Sequence, residues 1–204
     1  MISMDKSNIL VDNYDNIDMI SKEWCDTTLN YLGLYFEKIK DYNNMKKYYD
    51  MAIERGSSDA LHNMGCYYND INDYDNMKKY FLLAIEKGQI DAMNGLGAYY
   101  QRNNDYNNMI KYYYMAIKQN NDMAMTNLGL YYESIKDYIN MKKYFNMAIN
   151  YGNSDAMYNM GLYYEKNKDY DNMKKYYNLA IKNNNHTAIC DSRRIRNVIS
   201  QIPE

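Results

Sequence analysis

Residues 59–90 read DALHNMGCYYNDINDYDNMKKYFLLAIEKGQI, and this pattern recurs every 32 residues along most of the 204-residue chain. Two sets of small residues keep the spacing without an insertion. They are Gly33, Gly65, Gly97, Gly129 and Gly161, and Ala52, Ala84, Ala116, Ala148 and Ala180. Self-similarity at a fixed period of roughly 20–50 residues is typical of solenoid proteins. We therefore predict five tandem repeats, at about 27–58, 59–90, 91–122, 123–154 and 155–186.

Each repeat contains two apolar stripes with the spacing of an α-helix. In residues 59–90 the first stripe, which we call helix A, consists of Ala60, Leu61, Met64, Gly65 and Tyr68. The second stripe, helix B, consists of Tyr74, Met77, Phe81, Ala84 and Ile85. The sequence therefore predicts an all-α fold of helix-turn-helix units.

The ends of helix B are marked in every repeat. An aspartate precedes the helix at Asp41, Asp73, Asp105, Asp137 and Asp169. At an N-cap this carboxylate can accept from first-turn amides and faces the positive end of the helix dipole. Only Gly or Asn, which tolerate the left-handed conformation of a C′ residue, follow the helix. They are Gly56, Gly88, Asn120, Gly152 and Asn184.

The repeated glycines and tyrosines have a packing explanation. Small residues such as Gly65 and Ala84 allow two helices to approach closely. No GxGxxG motif is present and no strand precedes the glycines, so a phosphate-binding loop is not indicated. Of 27 tyrosines, 22 occupy repeated positions, which predicts that their rings pack inward and their hydroxyls bond at the rim. An aromatic platform for stacking nucleotides is the less favoured interpretation.

The third repeat resembles a tetratricopeptide repeat. It has Leu96-Gly97-x-x-Tyr100, an aromatic residue sixteen positions after the glycine, and Ala116 nineteen positions after it. Met109 departs from that pattern, which prefers Ala. The link between repeats, with AIEKG at 84–88 followed by Asp91-Ala92 and Leu96-Gly97, resembles that of Sel-one-like repeats. The turn from helix A to helix B lacks the longer GxGV-type loop of that family.

These resemblances cover residues 26–188 and imply a right-handed superhelical solenoid of antiparallel helix-turn-helix repeats. In such a solenoid the A helices line the concave surface and the B helices the convex one. Strings such as DNMKKYY at 171–177 also resemble repeats from giant DNA viruses of amoebae. A viral origin would place the protein in the cytoplasm of the host.

Three variable rows of helix A lie opposite its apolar stripe, and we predict that they line a partner-binding groove. The polar row is Asn30, His62, Asn94, Thr126 and Tyr158. The apolar row is Leu34, Cys66, Ala98, Leu130 and Leu162. The acidic row is Glu37, Asn69, Gln101, Glu133 and Glu165.

The composition of these rows favours a protein or peptide partner with an apolar anchor and some positive charge. The chain is thus predicted to be an adaptor or scaffold for protein binding. Tetratricopeptide modules that clamp a C-terminal carboxylate use basic residues on this face, whereas here Asn30, Asn94, Glu37 and Glu165 are present. A clamp for chaperone tails is therefore not expected.

Two alternatives are kept. Lysines on helix B could follow a phosphate backbone, but nearby acidic residues favour a merely solvated face. They are Lys46, Lys47, Lys78, Lys79, Lys111, Lys142, Lys143, Lys174 and Lys175. The second alternative is a homo-oligomeric structural protein that stacks end to end; otherwise we expect a monomer or weak homo-oligomer.

The remaining composition argues against catalysis and against a metal or other cofactor. The net charge is −2, and the only histidines are His62 and His186. His62 and Cys66 share a helix face, but two ligands without an evident third do not define a metal site. Cys25, Cys66 and Cys190 form no CxxC pair, which favours a reducing compartment. With no apolar run long enough to span a membrane, we expect a cytoplasmic protein.

The two ends of the chain differ from the repeats. Residues 1–25 are predicted to contain a degenerate capping helix, and Trp24 is expected to close the first repeat. The five repeats fill residues 26–185. Residues 187–204 are predicted to form a capping helix and tail, in which Arg193, Arg194 and Arg196 provide a solvated basic surface. The alternative is that this arginine cluster or the N-terminal segment binds a partner.

Overall fold

The computed structural model describes residues 24–200, and these residues form twelve α-helices and no strand. In the first four repeats the helices are α1 Asp26–Lys38, α2 Tyr42–Glu54, α3 Ser58–Asp70, α4 Tyr74–Glu86, α5 Ile90–Arg102, α6 Tyr106–Lys118, α7 Asp122–Ser134 and α8 Tyr138–Asn150. They are followed by α9 Ser154–Lys166, α10 Tyr170–Lys182, α11 His186–Cys190 and α12 Ser192–Ser200. The predicted capping helix before Trp24 lies outside the described residues.

The predicted all-α architecture of tandem antiparallel helix-turn-helix repeats is confirmed. Odd-numbered helices up to α9 are the predicted A helices, and each even-numbered helix up to α10 is a B helix. The chain divides into two compact units, of which the first ends at Ala92 and the second begins at Met93. In the first unit α1 packs on α2 and α3 on α4; in the second, α7 packs on α8 and α9 on α10.

The caps follow the sequence prediction. In helix α2 the Asp41 carboxylate accepts from the backbone amide of Asn44 at 3.2 Å and from its side-chain amide at 2.7 Å. The same arrangement recurs at Asp73, Asp105, Asp137 and Asp169. These hydrogen bonds fix the start of each B helix.

Left-handed backbone closes both kinds of helix end. Helix B is followed by a positive φ at the predicted Gly and Asn positions, for example +92° at Gly56 and +63° at Asn120. The turn after helix A also needs a positive φ, and Lys40, Lys136 and Lys168 adopt one at 58–61°. The sequence did not predict this second set, because lysine has no special preference for that conformation. Asn72 and Asn104, at the same position in other repeats, were the available signal.

The glycine ladder marks the closest approach of the two helices, as predicted. A Cβ on Gly33 would lie 2.3 Å from the Tyr49 ring, and one on Gly129 would lie 2.6 Å from the Phe145 ring. The aromatic residue sixteen positions after each glycine therefore packs directly against the glycine backbone. Any side chain at these positions would push the two helices apart.

The predicted inward packing of tyrosine rings is confirmed for the stacked rings of helices A and B. It is wrong for the tyrosine that opens helix B, which is 37–44% exposed at Tyr42, Tyr74, Tyr106 and Tyr138. The ring at the end of helix A stacks on a helix-B tyrosine of the same repeat, as in Phe36 on Tyr48 at 5.2 Å between ring centroids. Equivalent stacks are Tyr68–Tyr80, Tyr100–Tyr112, Tyr132–Tyr144 and Tyr164–Tyr176. Trp24 is partly buried and packs against the core of the first repeat, as expected.

The C-terminal helices are more than a solvated basic cap. Ile195 on α12 is only 2% exposed and packs against Met173 and Tyr177 of α10. The arginine next to it, Arg194, forms an ion pair with Glu165. The prediction that solubility alone explains the arginines is therefore wrong for Arg194.

Candidate functional site

The apolar row presents leucines to solvent in both units. Leu34 in the first unit is 38% exposed, and Leu130 and Leu162 in the second are each 37% exposed. Cys66 and Ala98 are half-buried. Exposed leucines on successive A helices provide the apolar contact that a partner side chain could use.

The polar row mostly joins one repeat to the next. Asn30 and Thr126 are 7% and 6% exposed, so neither is available to a partner. The side-chain amide of Asn63 donates to Asn30 Oδ1 at 3.0 Å. Asn127 donates in the same way to Asn94 at 3.0 Å, and the Tyr158 hydroxyl donates to Asp191 at 2.8 Å. A helical periodicity identifies the face of a residue but does not show what the next repeat places over it.

The acidic row is coupled to the buried ring beside the glycine. The Tyr49 hydroxyl donates to Glu37 at 2.8 Å, and Tyr113 donates to Gln101 at 2.8 Å. Tyr177 donates to Glu165 in the same manner. Burial, followed by the bond to Glu37, raises the pKa of Tyr49 above its usual range, so this hydroxyl stays a proton donor. Part of the row therefore satisfies buried hydroxyls.

Glu133 differs from the other two carboxylates of this row. The ring below it belongs to Phe145, which has no hydroxyl to donate. Within residues 24–200 the half-buried Glu133 side chain makes no hydrogen bond or ion pair. Its negative charge is thus left without an internal partner in the described part of the chain.

Arg194 makes internal contacts that the sequence did not predict. It donates to Glu165 at 2.7 Å and to Asp191 at 3.3 Å, and its guanidinium carbon lies 6.0 Å from the centre of the Tyr177 ring. The signal was its position, 32 residues after Leu162 and therefore on the apolar row. It was overlooked because the glycine ladder ends at Arg193.

Most of the helix-B lysines lie over tyrosine rings. Lys142 Nζ is 4.8 Å from the Tyr163 ring centre, and Lys143 Nζ is 5.1 Å from that of Tyr144. Lys47, Lys79, Lys111 and Lys175 have the same relation to the tyrosine that follows each of them. Cation–π contacts of this kind give the lysines a local packing role. The nucleic-acid interpretation of the ladder gains no support from this geometry.

The side chains of His62 and Cys66 lie close together, but the Cys66 thiol is not activated. Cys66 Sγ lies 3.6 Å from His62 Nε2, and burial raises the pKa of the thiol to about 11. Such a thiol is protonated at neutral pH and is a poor nucleophile. Among residues 24–200 no three His, Cys, Asp or Glu side chains come together as a metal site. None of the helices in this range is long and apolar enough to cross a membrane.

The described residues form a helical repeat protein whose helix-turn-helix units are similar to tetratricopeptide and Sel1-like repeats. A tetratricopeptide repeat model matches residues 58–86 and 154–187. No curated protein matches the chain in sequence.

Solved structures share the fold at low sequence identity. A Sel1 repeat protein from Oxalobacter formigenes is 23% identical, with a TM-score of 0.64 over 77% of this chain and 73% of that one. PilF of Pseudomonas aeruginosa is 16% identical, with a TM-score of 0.64 over 86% and 87%. The protein c5321, a protective antigen of uropathogenic Escherichia coli with an SLR fold, is 20% identical, with a TM-score of 0.64. That alignment covers 84% of this chain but only 41% of c5321.

Part of the chain thus matches a tetratricopeptide repeat model, and its fold is similar to those of tetratricopeptide and Sel1-like repeat structures. YrrB, described as a tetratricopeptide protein with an unusual peptide-binding site, is 17% identical with a TM-score of 0.50. The alignment covers 88% of this chain and 96% of YrrB. At these identities the likeness concerns the fold.

Proposed function

We propose that this protein is an interaction module that binds a peptide or protein partner on the exposed face of its A helices. The observation that carries the proposal is the pair Leu130 and Leu162, which are equally exposed on successive A helices of the second unit. Repeat proteins of this kind generally act in protein–protein contacts, using surfaces that successive repeats build together.

The recognition surface we propose is narrower than the three rows. In the second unit it consists of Ala98, Gln101, Leu130, Glu133 and Leu162. Thr126 is left out because it is buried, and Tyr158 because its hydroxyl bonds to Asp191. YrrB, which has a similar fold, is described as having an unusual peptide-binding site, and this supports a peptide as the first partner to test.

A displayed library of random peptides tests this proposal without knowledge of the natural partner. The intact chain should enrich a peptide family, and replacing Leu130 and Leu162 together by Ser should abolish its binding. Leu82 and Leu83 on helix α4 are exposed to 44% and 38%, so their double replacement by Ser is the matched control. Circular dichroism should show that both variants stay folded. Absence of enriched peptides, or equal binding by both variants, would refute the proposal.

A homo-oligomeric role is the competing proposal, and the mass of the purified protein in solution distinguishes it directly. The resemblance of the DNMKKYY strings to giant-virus repeats stays a prediction, as does a cytoplasmic location. We expect no catalytic activity.

A further inference from the structure

Arg194 shows how this surface holds a guanidinium group. One of its terminal nitrogens donates to Glu165 at 2.7 Å, and the other donates to Asp191 at 3.3 Å. The second nitrogen also lies 3.5 Å from the Tyr177 hydroxyl, and the guanidinium is 6.0 Å from the centre of that ring. The site therefore combines a carboxylate, a second oxygen acceptor and an aromatic ring.

The same positions recur one repeat earlier in the second unit. Subtracting 32 from each residue number replaces Glu165 by Glu133, Asp191 by Asn159, Tyr177 by Phe145 and Arg194 by Leu162. The carboxylate is kept, the second acceptor becomes an amide oxygen, and the ring is kept without its hydroxyl. The cation has no counterpart, since Leu162 takes the position of Arg194.

The groups at Glu133, Asn159 and Phe145 are those that bind an arginine side chain. A planar guanidinium can donate to a carboxylate and a neighbouring oxygen at the same time, and it is attracted by the face of an aromatic ring. Glu133 is half-buried and has no internal hydrogen-bond donor within residues 24–200. An unneutralised carboxylate in a partly desolvated position favours a cation from outside.

The leucines on either side fit the rest of such a residue. Leu130 lies on helix α7 together with Glu133, and Leu162 lies on helix α9. Each leucine is 37% exposed. The methylene stem of an arginine packs on apolar surface while its charged end reaches an acceptor. An aliphatic residue next to the arginine could use the remaining exposed leucine surface.

We propose that the second unit binds a partner segment through an arginine side chain that pairs with Glu133 and packs between Leu130 and Leu162. This inference rests on the proposed function and specifies the chemistry of its partner. The other repeats offer less: Gln101 is neutral, and Glu37 has Leu34 and the half-buried Cys66 at the positions of Leu130 and Leu162. Glu165 is occupied by Arg194.

The test uses the peptides enriched from the random library on the intact chain. Their shared motif should contain an arginine beside an aliphatic residue. Glu133→Gln should weaken binding about tenfold, and so should replacement of the peptide arginine by citrulline, which keeps the shape but not the charge. The two changes together should cost little more than either alone, because they remove the same pair. Glu37→Gln is the matched control and should leave affinity nearly unchanged.

A second variant supplies the cation from within the chain. Leu162→Arg should reproduce the Arg194 arrangement beside Glu133 and reduce binding of the arginine peptides at least about tenfold. Adding Glu133→Gln to this variant should not restore binding, because the double variant still offers the peptide arginine no free carboxylate.

The outcomes separate this inference from the proposed function. If enriched peptides depend on Leu130 and Leu162 but lack arginine, or bind Glu133→Gln normally, the interaction module stands and the arginine site is refuted. Equal weakening by Glu37→Gln and Glu133→Gln would show a general charge effect and would also refute the local site. If no peptide is enriched, both proposals fail.

Discussion

A hydroxyl group on the buried ring below them distinguishes the residues of the acidic row from one another. Where the ring below the row is Tyr49, Tyr113 or Tyr177, its hydroxyl donates to the Glu or Gln above it. Where the ring belongs to Phe145, Glu133 has no such donor. The difference between tyrosine and phenylalanine, which hydrophobic patterns treat alike, therefore decides whether a residue of the acidic row has a hydrogen-bond donor within its own repeat.

The glycine ladder gives a prediction about stability. Gly97→Ala places a Cβ that would lie 2.5 Å from the Tyr113 ring, so the helices must shift. Overpacking costs about 1–3 kcal/mol, partly offset by the better helix propensity of Ala. We expect a net loss of about 1–2 kcal/mol in the free energy of unfolding, measured by urea denaturation. Tyr113→Phe, a residue that two other repeats carry, should cost less. A variant as stable as the native chain would contradict the packing role of this glycine.

The cysteines should differ in reactivity. Burial raises the pKa of the Cys66 thiol to about 11, whereas the hydrogen bonds from the Thr28 side chain and amide lower the pKa of Cys25. Since the thiolate is the reactive form, iodoacetamide at pH 8 should alkylate Cys25 more than about tenfold faster than Cys66. Mass spectrometry of timed samples measures both rates. In urea the rates should converge; equal rates in the folded protein would contradict the burial of Cys66.

At the scale of the helix, the start of every B helix uses the same local device. The aspartate N-cap accepts from the backbone and side chain of an asparagine three residues later, as in Asp73 with Asn76. These contacts involve near neighbours in sequence, which is why the pattern alone predicted them. The turn after helix A was harder to predict, because Lys40 takes a left-handed conformation that its own chemistry does not favour.

The aspartate caps predict a loss of stability in acid. The side-chain amide and then the backbone amide of the following asparagine lower the pKa of Asp41, Asp73, Asp105 and Asp137 below the ordinary value of 3.8. A carboxylate whose pKa is lower in the folded than in the unfolded state stabilises the folded state, and this contribution is complete at any pH above the unfolded pKa. It is lost as the pH falls below about 4.

Replacing these four aspartates together by Asn tests the contribution, since Asn can still cap but cannot titrate. The melting temperature of the variant should be lower at pH 7 but should fall less between pH 5 and pH 3 than that of the native chain. Parallel pH profiles for the two proteins would show that the caps do not contribute through their charge.

At the scale of the whole chain, the constant positions of the repeat predicted the fold and the variable ones only part of the site. Constant glycines and aspartates act within one repeat, so each copy carries its own evidence. The burial of Asn30 depends on Asn63 of the next repeat, and the role of Glu165 depends on Arg194 beyond the last one. Such contacts follow from the residue that occupies the neighbouring position, which a helix-by-helix reading of one repeat does not supply.

The C-terminal helices should stabilise the last repeat, because the terminal member of a repeat array needs a cover for its open face. Ile195 is 2% exposed against Met173 and Tyr177, so Ile195→Ala should cost about 2–4 kcal/mol. Ile189, 45% exposed on α11, is the matched control and its replacement by Ala should change little. Hydrogen exchange should show the largest loss of protection in α10, which Ile195 covers. Equal effects of the two replacements, or unchanged protection of α10, would mean that α12 does not cap the repeats.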